Sequence, residues 1–522
     1  MSYVLVPDAK AILLPPDRGL VTPESNWVDV EGERYVVCPH DIETTRALRA
    51  MGVMVPAPIG YYYEWPKIDG LYDPMSHQRD TAAFASLHRR CYILNDLGTG
   101  KTHSALWAMD YLMDIGEIER AIIVTPLSTM ERVWGDGIRF TLRHRKFEVL
   151  HGTPKRRWKL LDRDVPFYIV NHDGLEIIAD ALRERRDINH ITIDELTAYR
   201  NSGTRRWRKM NSVIMPGHSV WGLTGAPRPT EPTDVHAQCR LITPHTVTDS
   251  FRMLRFKTME QHSTHVWTEK PEANKVISTY MVPAIRFTRA QCVDLPEFTV
   301  SSRQVPMTKE QAAAYKSMSK DLKLQLAKGE ITAANAGVKA LKLLQIACGA
   351  VYDDERNVHY INAAPRLNEL IELREQIAEG KIIVFAPFRP VVEMVYRFLV
   401  DKYGEPGVAM VHGNVSKGAR DGIFARFQTQ GAPGWLVADA GTMAHGLTLT
   451  QASTIIWYGP ARNNEIYVQA NARITRVGQL FKAHAVHLSS SASENRLFKL
   501  CGVRSANQDD YLKIIEEAVE LV

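Results

Sequence analysis

Two glycines, a lysine and a threonine stand together at Gly98-Thr99-Gly100-Lys101-Thr102, just after the apolar run Cys91–Leu94. Glycines let backbone N–H groups curl around phosphates, a lysine at that place neutralises β/γ oxygens, and the next hydroxyl can hold Mg²⁺. Asp96 and Leu97 complete the turn, and Leu106, Met109 and Leu112 follow at helical spacing, so a helix start adds positive potential at the same point. The strict Walker A pattern asks for glycine at position 95, where Asn95 stands, but the strand–loop–helix context is kept. A glycine turn with a surface lysine is the plain alternative. A second chemical group is Ile191-Thr192-Ile193-Asp194-Glu195, an apolar strand ending in two acids. Alone, such acids could equally cap a helix. Beside a phosphate loop at the carboxyl ends of parallel strands, Asp194 would bind Mg²⁺ and Glu195 would polarise the attacking water.

These residues need a scaffold that brings distant segments to one edge. Short apolar runs at Cys91–Leu94, Ala121–Val124, Phe167–Val170, His190–Ile193 and Val220–Leu223 alternate with helical segments. A second series follows at Lys381–Phe385, Val408–Val411, Trp435–Ala438, Thr454–Tyr458 and His484–Leu488. Alternation of this kind predicts an α/β fold, here two parallel sheets in tandem, each covered by helices on both faces. The expected division is a small α+β accessory unit over 1–72, a first lobe over 73–290, a helical linker over 291–365, a second lobe over 366–505 and a terminal helix over 506–522. In the first part, Trp27 to Val36 alternates around Glu31-Gly32 as a hairpin would, and Asp41 and Gly52 bracket a short helix. Thr308 and Gln311 form a capping box that opens a long helix ending near Gly329.

The remaining motifs resemble one family. Leu223-Thr224-Gly225-Ala226-Pro227 resembles motif III of the Swi/Snf-type members of helicase superfamily two. Val124-Thr125-Pro126-Leu127-Ser128 with Trp134 is similar to motif Ia, and Asn171-His172-Asp173 to motif Ib. His77-Gln78 resembles the upstream glutamine motif that reads adenine. Val411-His412-Gly413-Asn414 with Arg420 and Phe427 resembles the segment after motif IV. Ala440-Gly441-Thr442 through Gly446-Leu447-Thr448-Leu449 resembles motif V, and Gln469 to Gln479, with Arg473 and Arg476, is similar to motif VI. The resemblance runs in order over roughly residues 75–490. It implies two RecA-like lobes with ATP and Mg²⁺ in the cleft, Arg473 and Arg476 acting as arginine fingers, and Thr224, Gly225 and Pro227 coupling the sites. Departures are Leu196-Thr197 where Ala-His is commonest, Thr230 where Asn often follows motif III, and Thr448 where motif V usually has Asn. The compact size resembles bacteriophage-encoded or bacterial members.

With 522 residues, 45% hydrophobic, 24% charged and a net charge of +5, the chain has ordinary globular composition and permits a nucleic-acid partner without requiring one. Its positive charge is clustered. One cluster runs through Arg139–Lys146 and Lys155-Arg156-Arg157-Trp158-Lys159, the other through Arg200 to Lys209 with Arg205, Arg206 and Arg208. Such clusters bind phosphate backbones whatever the sequence, and the interleaved Trp could lie against sugars or bases; a solvated helix face is the alternative. Phosphate contacts from Thr125, Ser128, Gly441 and Thr442 follow from the resemblance alone. Six scattered cysteines and no long uncharged stretch predict a soluble, cytoplasmic protein without disulfides or a zinc module. The function expected is an ATP-dependent translocase on duplex or branched DNA. The alternatives are a strand-separating helicase, the motor subunit of a restriction or nuclease complex, and a nucleotide-gated DNA clamp.

Overall fold

The computed structural model describes residues 3–16, 26–67, 73–263, 267–292, 298–328, 333–353, 355–377, 379–443, 449–475 and 479–502. Arg476, the segment Gly446-Leu447-Thr448 and the expected helix 506–522 lie outside the described residues. The described chain divides into two units, one up to Cys292 and the other from residue 298 on.

The first unit begins with an antiparallel sheet of four strands, β1 (Val4–Val6), β2 (Ala11–Leu14), β3 (Asn26–Val30) and β4 (Glu33–Pro39), in the order β1-β2-β4-β3. The expected hairpin is present, with Val30 opposite Glu33 and left-handed backbone at Glu31 and Gly32. The helix Ile42–Ala50 follows, its N-cap Asp41 accepting from Thr44 N and Gly52 standing in the left-handed region after its end. Arg46 fastens this part to the rest of the unit by donating to the carbonyls of Ser86 and Leu87 and pairing with Glu117 at 3.0 Å.

The main sheet of the first unit contains β5 (Arg90–Ile93), β6 (Arg120–Thr125), β7 (Phe147–Val149), β8 (Phe167–Asn171), β9 (Ile188–Asp194) and β10 (Ser219–Leu223). After a small hairpin of β11 (Met259–Gln261) and β12 (Trp267–Glu269), β13 (Ala284–Ile285) joins the sheet, which runs β13-β5-β10-β9-β6-β8-β7 and is parallel throughout. Tyr92, Ile122 and Ile191 pack into one apolar layer and Cys91, Ile123 and Trp221 into the other, so the central strands are buried on both faces. That is why they read as unbroken apolar runs.

In the second unit β14 (Phe298–Gln304) precedes the hairpin β15 (Ala350–Tyr352)–β16 (Val358–Tyr360). The strands β17 (Lys381–Phe385), β18 (Val408–Val411), β19 (Trp435–Ala438), β20 (Ala452–Trp457) and β21 (Ala483–Ser489) complete a second parallel sheet in the order β14-β21-β20-β17-β19-β18. All ten predicted strands are found. Within the two parallel sheets the strands the sequence did not reveal, β7, β13 and β14, lie at edges, and β1, β2 and the small hairpins β11–β12 and β15–β16 were not expected either. The long helix Lys309–Lys328 opens on the expected box, Gln311 Oε1 accepting from Thr308 N and Thr308 Oγ1 from Gln311 N, each at 3.2 Å. A fully buried ion pair, Arg366–Glu494 at 2.8 Å, fixes the helix Ala364–Gln376 to the segment after β21.

Candidate functional site

The site is built at the carboxyl ends of β5, β10, β9 and β6, which are consecutive neighbours in the first sheet. Leaving β5, the chain turns through Asn95 to Gly100, with Gly98 and Gly100 at φ +89° and +84°, and enters the helix Lys101–Asp114. A Cβ on Gly100 would lie 2.1 Å from Gln78 Nε2, so the missing side chain is what lets the loop close against Gln78. Lys101 Nζ donates to the carbonyls of Asn95 at 2.6 Å and Asp96 at 3.0 Å, which holds the ammonium over the loop's own backbone. Asn95 is buried and does work glycine could not. Its amide donates to Thr81 Oγ1 at 2.8 Å and its Oδ1 accepts from Phe287 N at 3.0 Å, knitting the loop to both its neighbours. Asp96 accepts from Arg289 N and faces Arg286 at 3.7 Å. His77 and Gln78 both reach the Thr99 carbonyl, at 2.9 and 3.3 Å.

Asp194 ends β9. Its Oδ2 accepts from Thr125 Oγ1 and from Trp134 Nε1, both at 2.9 Å, and its Oδ1 accepts from Glu195 N at 3.0 Å. A π-turn over Met130–Gly135 brings Trp134 to this position; such turns are rare and occur often at functional sites. Glu195 has φ +50°, a left-handed conformation that costs a non-glycine residue on the order of 1–3 kcal/mol. Its side chain caps nothing in the following turn, so the helix-cap reading of these acids fails.

The chain leaves β10 through Thr224, whose N donates to Ile93 O at 3.2 Å, while the Cβ position of Gly225 lies 3.4 Å from Leu97 N and 3.5 Å from Asn95 O. Pro227 O accepts from Gln238 at 2.8 Å. The stretch expected to couple the sites therefore lies alongside the phosphate loop, with room for no side chain at Gly225 without contact to Leu97 and Asn95. Just beyond it Arg228, 3% exposed, donates to Asn274 and pairs with Glu269 at 2.6 Å.

Several expectations for DNA contact are corrected. Thr125 is fully buried with its hydroxyl committed to Asp194 and Thr129, so it positions the acid and does not face a backbone. Trp207 is buried and donates to Ala237 O, and Arg157 is buried and donates to Leu150 O and Asn171 Oδ1. Neither can stack on a nucleic acid or track its phosphates. On the helix Arg205–Val213, Arg205 pairs with Glu176, Arg206 with Asp173 at 2.6 Å and Lys209 with Asp180 at 3.8 Å. These acids sit on the helix His172–Glu184 and balance the cluster. Ser128 and Arg208 are exposed. In the second unit Asp439 Oδ1 accepts from Gly441 N at 2.8 Å, the Thr442 hydroxyl donates to Asp439 O at 2.8 Å, and Arg462 pairs with Asp439 at 3.0 Å. Arg473, 2% exposed, follows the helix Asn464–Asn471, and its carbonyl accepts from Leu449 N at 3.0 Å.

Two family models match successive parts of the chain. The SNF2-related domain matches residues 76–350 and the helicase conserved C-terminal domain matches residues 364–478. The chain belongs to the SNF2-related family. Its two parallel sheets are the two RecA-like lobes of that family. This SNF2-related chain is 25% identical over 286 residues to protein p41 of Acyrthosiphon pisum secondary endosymbiont phage 1, covering 52% of the chain and 62% of that protein. It is 26% identical over 221 residues to YwqA of Bacillus subtilis (strain 168), a candidate ATP-dependent helicase/translocase by name, covering 40% of the chain and 23% of YwqA. The chain thus matches less than two thirds of the length of either relative. A similar solved structure is the Sulfolobus solfataricus SWI2/SNF2 ATPase core in complex with dsDNA, with TM-score 0.42 and 20% identity over 88% of this chain and 97% of that one. No described helix is long and apolar enough to cross a membrane.

Proposed function

We propose that the chain hydrolyses ATP and uses the cycle to move along duplex DNA. The observation that carries this reading is the convergence of three segments at one end of adjacent strands: the phosphate loop after β5, the acids after β9 and Thr224–Pro227 after β10. Backbone N–H groups of Gly98 to Thr102 and the Lys101 ammonium would hold the phosphates, and Gln78 would stand by the adenine. The residues fit a metal as well, since Asp194 is oriented by two side-chain donors and Thr102 stands in the first turn of the helix after the phosphate loop. Thr102 and Asp194 would hold Mg²⁺, which would supply positive charge to neutralise the phosphates. Glu195 would polarise the attacking water, and Arg473 and Arg476 would stabilise charge on the transferring phosphoryl group. Thr224, Gly225 and Pro227, which run alongside the loop, would couple its state to DNA contacts such as Ser128.

The duplex reading is supported by family membership and by exposed cations on the first unit. It is tested by ATP turnover at equal nucleotide concentrations of duplex, single-stranded and forked DNA and RNA, together with displacement of a triplex-forming strand. Duplex stimulation with triplex displacement is expected. Stimulation by RNA alone would overturn the reading, and strand separation without triplex displacement would favour a helicase.

A further inference from the structure

Residues 139–163 hold nine lysines and arginines against two acids, Glu148 and Asp162, whereas the whole chain carries only +5. The remainder of the protein is therefore slightly acidic in net charge, the Arg200–Lys209 cluster included. The stretch surrounds β7, the outermost strand of the first sheet. Two grooves of about 580 and 570 Å³ meet there and share Arg139, Phe147 and Glu148 as lining. Arg143 and Lys146 line one, Arg156, Lys159 and Arg163 the other, and all of these are exposed. Arg139 is paired with Glu131 and Asp136, and Arg163 with Glu148. Lys146, Arg156 and Lys159 have no ion pair among the described residues. Phe140, 48% exposed, lies at the rim of the same surface.

The register of the sheet places the Arg143–Lys146 part of this surface at the opposite end from the motor loops, while Arg156 stands in the first turn of the helix Pro154–Leu161, past the carboxyl end of β7. Phe147 pairs with Phe167, Phe167 with Ala121, Ala121 with His190, and His190 with Ser219, a row that crosses the strands near their amino ends. The segment Arg143–Lys146 enters β7 at that end, while the phosphate loop, Asp194 and Thr224 leave their strands at the other. Five strand spacings across and one strand length along put the two sites roughly 25–30 Å apart.

We propose that this edge is a second, sequence-independent binding surface for the sugar–phosphate backbone of duplex DNA, separate from the track beside the motor loops. The proposal rests on the duplex reading above. Exposed cations without internal acids retain their counterions until a polyanion displaces them, which is the source of salt-dependent affinity. The spacing of about 25–30 Å lets one bent duplex, or two neighbouring segments, meet the edge while the motor loops hold another stretch. The edge would anchor the protein between steps.

The test is the variant Lys146→Ala/Arg156→Ala/Lys159→Ala in the full chain, with duplex affinity measured over a series of salt concentrations. The slope of log affinity against log salt is expected to fall by about 2–3, at about 0.9 per lost contact, with ATP turnover in the absence of DNA unchanged. Arg205→Ala/Arg206→Ala, whose cations already face acids, should leave the slope where it was. Unchanged slope and affinity in the triple variant would overturn the proposal, as would tighter binding of poly-glutamate than of duplex at equal charge. If the parent protein neither binds duplex nor turns over faster with it, the duplex reading itself fails; a responsive parent with an unaltered triple variant sinks the edge alone.

Discussion

At the carboxyl end of the first sheet charged groups are few and each is held. Lys101 is tied to two carbonyls and Asp194 to Thr125, Trp134 and the Glu195 amide. Around the edge strand β7 cations are many, exposed and in part without acids. On the proposed reading both regions take phosphate, but for different tasks. Stabilising a reacting phosphoryl group needs charge fixed to a fraction of an ångström, because donors that must reorganise lose their advantage. Holding a long polyanion needs charge density, and mobile side chains serve it well. The difference teaches that the number of cations in a region says little about catalysis, and their fixity says little about affinity.

That contrast can be broken most sharply at Glu195. Glu195→Gln should retain ATP binding while turnover falls about 10²–10⁴-fold, the usual worth of a positioned acid–base group. Nucleotide titration against single-turnover hydrolysis reads the split, and a matching loss of binding would put Glu195 in the wrong role. Lys101→Ala should lower turnover about 10²–10³-fold and weaken ATP as well, since one fixed donor to the phosphates is removed. Turnover within a few-fold of the parent would show that fixity at this end does not matter. Trp134→Phe keeps the bulk of the ring but removes one charge-assisted hydrogen bond, worth about 1.5–3 kcal/mol. It should raise the Mg²⁺ concentration for half-maximal turnover roughly tenfold or more, whereas saturating Mg²⁺ restores most of the rate. The smallest effect is expected at the second basic cluster. Arg205→Ala/Arg206→Ala should shift folding stability by about 0.5 kcal/mol or less, as exposed ion pairs usually do, with turnover unchanged in a DNA titration. A large drop in DNA affinity would mean that the acids of the neighbouring helix do not occupy these cations.

Much of this scaffold was legible because central parallel strands are apolar on both faces. Runs such as Ile122-Ile123-Val124 and Ile382-Ile383-Val384 announce themselves. Three of the four edge strands of the parallel sheets do not, Val408–Val411 being the exception: Phe298–Gln304 mixes Thr, Ser, Arg and Gln because much of it is exposed, and β13 is two residues long. The phosphate loop and the acids were legible through residue types that few other contexts require together. What held them was not. Nothing local marks Trp134 as a donor to Asp194, and Thr125, read as a backbone contact, faces inward. Asp173, Glu176 and Asp180 recur at helical spacing, a signal that could have foretold the neutralised arginines. Their partnership still depended on two helices packing side by side.

The left-handed backbone at Glu195 has a consequence for how this protein could change. Glycine takes that conformation freely, so the position is one where a single replacement by the smallest residue relaxes the chain while removing the carboxylate. Under the proposed role of Glu195, Glu195→Gly is therefore expected to trade turnover for backbone ease, so that stability and activity pull in opposite directions at this one position.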